Sequence, residues 1–247
     1  QDQYRENITF AMSMVNEYIQ DELVFSFLPR GFEMFELDQL NKLYQVLSTN
    51  DINFLLIDVN NIINELNNVL SNIKSSSKNK NIHIIAYSSD KHKDVFSGLF
   101  DKYLSFILPS HFNTIECVQA MKKYFELAGI KHSQRRRHIR VPVDEKENIK
   151  ISFKLNKGDV LDGKITNISL GGALFTSLNG KLIRDLENNK RYNGLQINFG
   201  GKIARATAII AQKKEFTVAI RFTDINENFI KIISKYIFTK LTKLANV

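Results

Sequence analysis

The texture of the sequence changes at Gly129, and that break constrains the fold more than any other feature of the chain. Before it, continuous apolar runs alternate with segments of helical period. NFLLIDV (53–59), IHIIAYS (82–88) and LSFIL (104–108, stopped by Pro109) read as buried strands, since an unbroken apolar run suits a strand covered on both faces. DQLNKLYQVLS (38–48) sets Leu40, Leu43, Val46 and Leu47 on one face, with Asp38 as its candidate N-cap. INELNNVLSNIK and NTIECVQAMKKYFELA (113–128) read as helices, the second ended by Gly129. The spacing of Ile8, Met12, Val15 and Ile19 predicts a helix over 4–20, and 91–103 also reads as helical. LVFSFLP and FEMFEL read as strands that a hairpin at Arg30-Gly31 would join. Strands alternating with helices argue for an open, mainly parallel α/β sheet. If the helical readings between strands fail, a degenerate β-barrel is the alternative for this half.

After Gly129 comes KHSQRRRHIR (131–140), basic and without apolar period. From Val141 onward the segments are short, punctuated by Gly or Asn, and several alternate apolar with polar residues: IKISFKL, DVLDGKITNIS, GGALFTS, GLQINF, KIARATAIIAQKKE and FTVAIRFTDI. ENFIKIISKYIFTKLTKL then returns to helical spacing. Six strands and a closing helix predict a small β-barrel. The division expected is an α/β-type module over 1–129, an arginine-rich linker over 130–141, and a barrel over 142–247.

Charge follows the same division. Residues 1–129 hold 11 Lys and Arg against 16 Asp and Glu, a formal −5, whereas residues 130–247 hold 23 against 10, a formal +13. The basic half should attract anions. The single Cys117 rules out an intramolecular disulfide framework and a multi-cysteine zinc site. No apolar run approaches the roughly 18 residues of a membrane span, and QDQYRENITFAMSM lacks the basic and apolar blocks of a secretory signal. A cytoplasmic protein without a membrane span is the expectation.

The linker holds four arginines within six positions: Arg135, Arg136, Arg137 and Arg140. Each is a permanently charged planar fork able to grip a phosphate or stack on a base. On spacing alone, a solvated charge run and a nucleic-acid tail stay open beside a phosphate grip. Two motifs narrow the choice. Arg136 and Arg140 form Arg-x-x-x-Arg, and about thirty residues later Asn167-Ile168-Ser169-Leu170-Gly171-Gly172 forms Asn-x-Ser-x-x-Gly. In this order, on a β-rich stretch, they resemble the signature of PilZ domains, receptors for cyclic di-GMP. The resemblance covers about 134–240, and its tail, VAIRFTDINENFIKIISKYIF (218–238), also looks like the strand-to-helix end of that family. The arrangement of the whole chain resembles the two-domain spirochaete type of PilZ protein.

That resemblance implies a six-stranded PilZ-like barrel and a non-enzymatic receptor with no cofactor, metal or catalytic residue, whose ligand is cyclic di-GMP. Arg136 and Arg140 would take guanine and phosphate, and Arg135 would add a further grip suited to an intercalated ligand dimer. The chemistry is consistent, because guanine O6 and N7 accept two bonds from one guanidinium. Asn167 and Ser169 would reach a base edge. Gly172 would permit close backbone approach or positive φ, with Gly171 beside it. An Asn-Gly strand-end turn is the plain structural alternative. A downstream protein partner and weak DNA or RNA binding are further expectations, and the expected state is a monomer.

Asp58, at the end of an apolar strand, resembles the phosphate-accepting Asp of receiver domains. The first predicted strands give LVFSFLPR with no acidic pair, and 104–109 reads LSFILP with no Lys, so a capping or structural role is expected. The five histidines show no metal-ligand spacing, and Cys117 is expected in the core.

Overall fold

The computed structural model describes residues 8–246 except 90–93, 97, 101, 131–137 and 156–157. The chain divides into two compact units, one formed by 1–136 with 238–247, the other by 137–237.

In the first unit, β1 (Thr9–Ser13), α1 (Glu17–Phe27), β2 (Glu33–Leu37), α2 (Leu40–Thr49), β3 (Phe54–Asp58), α3 (Leu66–Ser76), β4 (His83–Ser88), β5 (Leu104–Pro109) and α4 (Thr114–Leu127) follow one another. The five strands make one all-parallel sheet in the order β2-β1-β3-β4-β5, a doubly wound order. The α/β expectation is met, and a parallel sheet with crossover helices is not a degenerate barrel. Phe10 and Phe54 are register partners on β1 and β3, and their rings meet Phe125 of α4 at centroid distances of 5.9 and 4.8 Å. Phe27 of α1 closes on Phe125 at 5.1 Å. This cluster of edge-to-face rings joins α1 and α4 to the sheet.

Four local expectations need correction. Over 4–20, residues 1–7 lie outside those described, Thr9–Ser13 is an inner strand of the sheet, between β2 and β3, and the helix begins only at Glu17. Its cap is Asn16, whose Oδ1 accepts the Tyr18 N–H at 2.9 Å. LVFSFLP is the end of α1 followed by a 3₁₀ turn, not a strand, and β2 pairs parallel to β1 rather than in a hairpin. Leu23, Val24, Phe27 and Leu28 are all buried, at the i, i+1, i+4, i+5 spacing of a helix face. A short apolar run does not distinguish the two states until something packs on it. Asp38 does not cap α2, because Gln39 occupies the N-cap. Of 91–103, the described residues form a 3₁₀ turn at 94–96 and further turns, with no α-helix; 91–93, 97 and 101 fall outside them. Elsewhere the reading holds. Asn113 forms a capping box with Glu116 at the start of α4, and Gly129 follows the helix at φ +71°.

The second unit contains β6 (Arg140–Pro142), β7 (Lys150–Lys154), β8 (Val160–Ser169), β9 (Gly172–Thr176), α5 (Gly180–Asp185), β10 (Arg191–Phe199), β11 (Lys202–Lys214), β12 (Thr217–Ile225) and the first part of α6 (Glu227–Ala245). Strands β7 to β12 close on themselves in the order β8-β7-β10-β11-β12-β9, with β9 returning to β8. All six predicted strands are present. Closure removes the exposed sheet edges that an open sheet would carry. Inside lie Ile151, Phe153, Leu161, Ile165, Phe175, Ile197 and Ile220, each buried. Phe153 meets Phe175 and Tyr192 at 6.2 and 5.5 Å. The short strand β6 lies outside this ring, antiparallel to β8.

Candidate functional site

Strand β6 joins the arginine run to the barrel. Val141 is buried, and Arg140 and Pro142 on either side of it are exposed, the alternation of a strand laid on a packed wall. In its register Arg140 faces Ser169 and Pro142 faces Asn167. Strand β8 turns through Leu170 and Gly171 into β9, where Ser169 faces Gly172, and Gly172 in turn faces Arg221 of β12. Arg140, Ser169, Gly172 and Arg221 therefore form one row across four strands. Asn167 stands two rows further along, opposite Pro142 and beside a register shift between Ile165 and Asn167. Three strand spacings separate the two arginines, about 14 Å along the sheet.

The hairpin is held by its own polar groups. The Ser169 hydroxyl donates to the Gly172 carbonyl at 3.2 Å and accepts the Gly171 N–H at 3.3 Å. Gly171 also accepts, through its carbonyl, the Phe222 N–H at 3.0 Å. Both glycines are required by close approach rather than by positive φ. A Cβ on Gly172 would lie 2.2 Å from the Ile220 carbonyl oxygen, and one on Gly171 would lie 2.5 Å from Cδ2 of His138. Gly171 thus makes room for the His138 ring, two residues before Arg140. Arg135 and Arg136 lie outside the described residues. Of the remaining expected site residues, the fold brings Arg140, Asn167, Ser169, Gly171 and Gly172 onto one wall of the barrel.

Arg221 was not singled out from the sequence. It is exposed, makes no ion pair among the described residues, and stands on the same row as Arg140. Its link to Arg140 is not local, because it lies 81 positions later and only ring closure brings it near. The run Ile220-Arg221-Phe222, with buried neighbours flanking one exposed arginine, is the only local sign. On the far side of β6 the chain makes a 3₁₀ turn at Glu145–Glu147. The Tyr236 hydroxyl of α6 donates to Glu147 Oε2 at 2.7 Å. Burial, then the Glu147 carboxylate, push the Tyr236 phenol well above its ordinary value. The turn that follows β6 is thereby bonded to α6.

Other polar groups are occupied structurally. Asp58 Oδ1 accepts the Asn60 N–H at 2.9 Å and the Asn60 amide at 2.8 Å, and Asn60 Oδ1 accepts the Ser89 N–H. It shapes the turn after β3 instead of capping a helix. The first strand ends at Ser13 and is followed by Met14-Val15-Asn16, again without an acidic pair. Cys117 is fully buried in α4, as expected. Among the described residues, no helix is long and apolar enough to cross a membrane.

A family model described as the PilZ domain matches residues 134–239. Among solved structures, the chain is similar to the PilZ domain with c-di-GMP of YcgR from Escherichia coli, at 19% identity and a TM-score of 0.38, covering 43% of this chain and 92% of that one. It is similar to the MrkH–c-di-GMP complex of K. pneumonia at 14% identity and a TM-score of 0.37, covering 42% of this chain and 51% of that one. It also resembles the Bacillus subtilis inhibitor of motility MotI/DgrA at 15% identity and a TM-score of 0.35, covering 43% and 51%. The chain thus spans about half the length of the latter two. No curated protein matches it. The arginine motif, the Asn-x-Ser-x-x-Gly hairpin joined to it by β6 and the closed six-stranded barrel all fall within residues 134–239, the stretch that matches the PilZ domain.

Proposed function

We propose that this protein is a bacterial cyclic di-GMP receptor that acts by binding, not by catalysis. The observation that carries the reading is the register of β6 on β8, which sets Arg140 directly beside Ser169 and the hairpin of a PilZ domain. Arg136 and Arg140 take guanine and phosphate of the ligand, Arg135 adds a further contact, and Asn167 reaches a base edge. Ser169, Gly171 and Gly172 complete the site by holding the hairpin against which the ligand lies. The formal +13 of residues 130–247 suits a ligand with two phosphates, or an intercalated pair with four.

A ligand that touches both the arginines before β6 and residues of the barrel restricts the chain between them. The bound state therefore selects among arrangements of the two units and changes the surface offered to a downstream partner. Motility, gene expression and virulence-type responses are the outputs this reading implies. Calorimetric titration with cyclic di-GMP tests it and gives stoichiometry together. Arg136→Asp with Arg140→Asp replaces charge-assisted bonds by repulsion, so affinity should fall by at least about 100-fold. Undiminished binding by that double variant places the site elsewhere.

The charge of the same half favours a second reading, a nucleic-acid-binding regulator. Counterion release predicts an affinity that falls steeply with salt. Anisotropy with a labelled duplex across a salt series tests it, and absence of binding at low salt ends it.

A further inference from the structure

On the barrel unit, away from the row of Arg140 and Gly172, the outer faces of β7, β8 and β10 border a cavity of about 820 Å³. Four large apolar side chains edge it in the open: Leu178 is 99% exposed, Phe216 47%, Val160 45% and Ile203 37%. Scattered single apolar residues are ordinary on a surface, but four around one hollow are a patch. Its floor is polar. Lys150 and Lys164 are direct register partners on β7 and β8. Like charges set opposite each other in a ladder are unfavourable, and neither lysine makes an ion pair among the described residues. The hollow therefore offers two ammonium groups that make no ion pair among the described residues, with one carboxylate, Asp162, nearby and apolar side chains around them.

We propose that this hollow is a docking site for a segment of a partner protein in which an acidic residue lies between large apolar ones. Charge complementarity argues for the acid, which would sit between Lys150 and Lys164 and relieve their repulsion. The exposed Leu178, Phe216, Val160 and Ile203 supply apolar contacts on either side. Two features favour a peptide over a nucleic acid. Stacking platforms for bases are aromatic, and only one of the four apolar residues is. Asp162 also stands on β8 in the same hollow, two positions from Lys164, where it would repel a run of phosphates. Strand β8 carries Asp162 and Lys164 here and Asn167 and Ser169 at the PilZ site, so the two sites share one strand without sharing residues.

The test uses the full chain and a fluorescent ten-residue peptide whose Glu residues stand only at its centre, flanked by Leu and Phe. Anisotropy should show binding that weakens at least about 10-fold when the Glu residues become Gln, the loss expected for charge-assisted bonds. Lys150→Glu with Lys164→Glu should cause a similar loss, as should Leu178→Ser with Phe216→Ser. All four positions are exposed, and circular dichroism with thermal melting checks that each variant stays folded. Cyclic di-GMP affinity, measured on the same variants, should be unchanged, which separates this site from the PilZ site. Equal peptide binding by wild type and both double variants overturns the proposal. So does a single-stranded oligonucleotide that binds in place of the peptide and is lost in the lysine variant. A chain dimer in sedimentation that Leu178→Ser abolishes would assign the hollow to a second copy and overturn it as well.

Discussion

Gly172 and Gly171 sit side by side in one hairpin, yet substitution at each meets a different obstacle. At Gly172 a methyl group would press on the Ile220 carbonyl, a backbone atom inside the ladder that closes the barrel. At Gly171 it would press on the edge of the His138 ring, a side chain that can rotate. Gly172→Ala should therefore destabilise the barrel by about 1–3 kcal/mol, the usual cost of overpacking, and Gly171→Ala by less. Urea denaturation checks both, and equal midpoints for the two variants would refute the distinction. Arg221 provides the complementary case, an exposed side chain with no ion pair to lose among the described residues. Arg221→Ala should leave the denaturation midpoint in place. If the ligand spans the row from Arg140, the variant should weaken cyclic di-GMP binding about 10-fold or more, the loss of one hydrogen bond to a charged group. Unchanged affinity would confine the ligand to the β6–β8 side of the row.

At the scale of elements, α4 is fixed from two directions. Its capping box satisfies the first turn, and its Phe125 enters the ring cluster of Phe10, Phe27 and Phe54. Cys117, one helical turn from the cap, is fully buried, and burial pushes its thiol up to about 11. The sign follows from linkage. A raised folded value means that the neutral thiol is favoured, so this contribution to stability is intact below the ordinary thiol pKa of about 8.5. It is lost as pH rises through the folded value. At pH 8 a thiol reagent should therefore label native protein far more slowly than urea-unfolded protein. Labelling at comparable rates would show that α4 opens readily. Element β6 is held in another way, by β8 on one side and by the turn whose Glu147 accepts from Tyr236 of α6.

At the scale of the whole molecule, ligand binding should appear in two independent measurements. Cyclic di-GMP at 100 times its dissociation constant should stabilise the folded state by about 2.7 kcal/mol through mass action, visible as a raised melting temperature of the barrel. With one label in each unit, the distance distribution should narrow or shift at saturating ligand. Stabilisation with an unchanged distribution would retain the receptor and remove the rearrangement, leaving the ligand-covered surface as the output.

The two motifs, the six barrel strands and the α/β alternation were legible because each is written in a few consecutive residues. Apolar-polar alternation marks FTVAIRF as a strand wherever it pairs, and Asn113 with Glu116 marks a helix start wherever the helix packs. What tertiary structure alone decided is which neighbours those elements acquire. Residues 9–28 contain apolar spacing compatible with either state, and the sheet resolved it by taking Thr9–Ser13 as an inner strand between β2 and β3 and leaving Leu23, Val24 and Phe27 for the helix. The purpose of Gly172 depends on a carbonyl 48 residues later in the chain, and the place of Arg221 depends on β9 pairing with both β8 and β12. Period and capping are local properties of the chain. Register and ring closure are contacts between distant segments, and no window of sequence contains both partners.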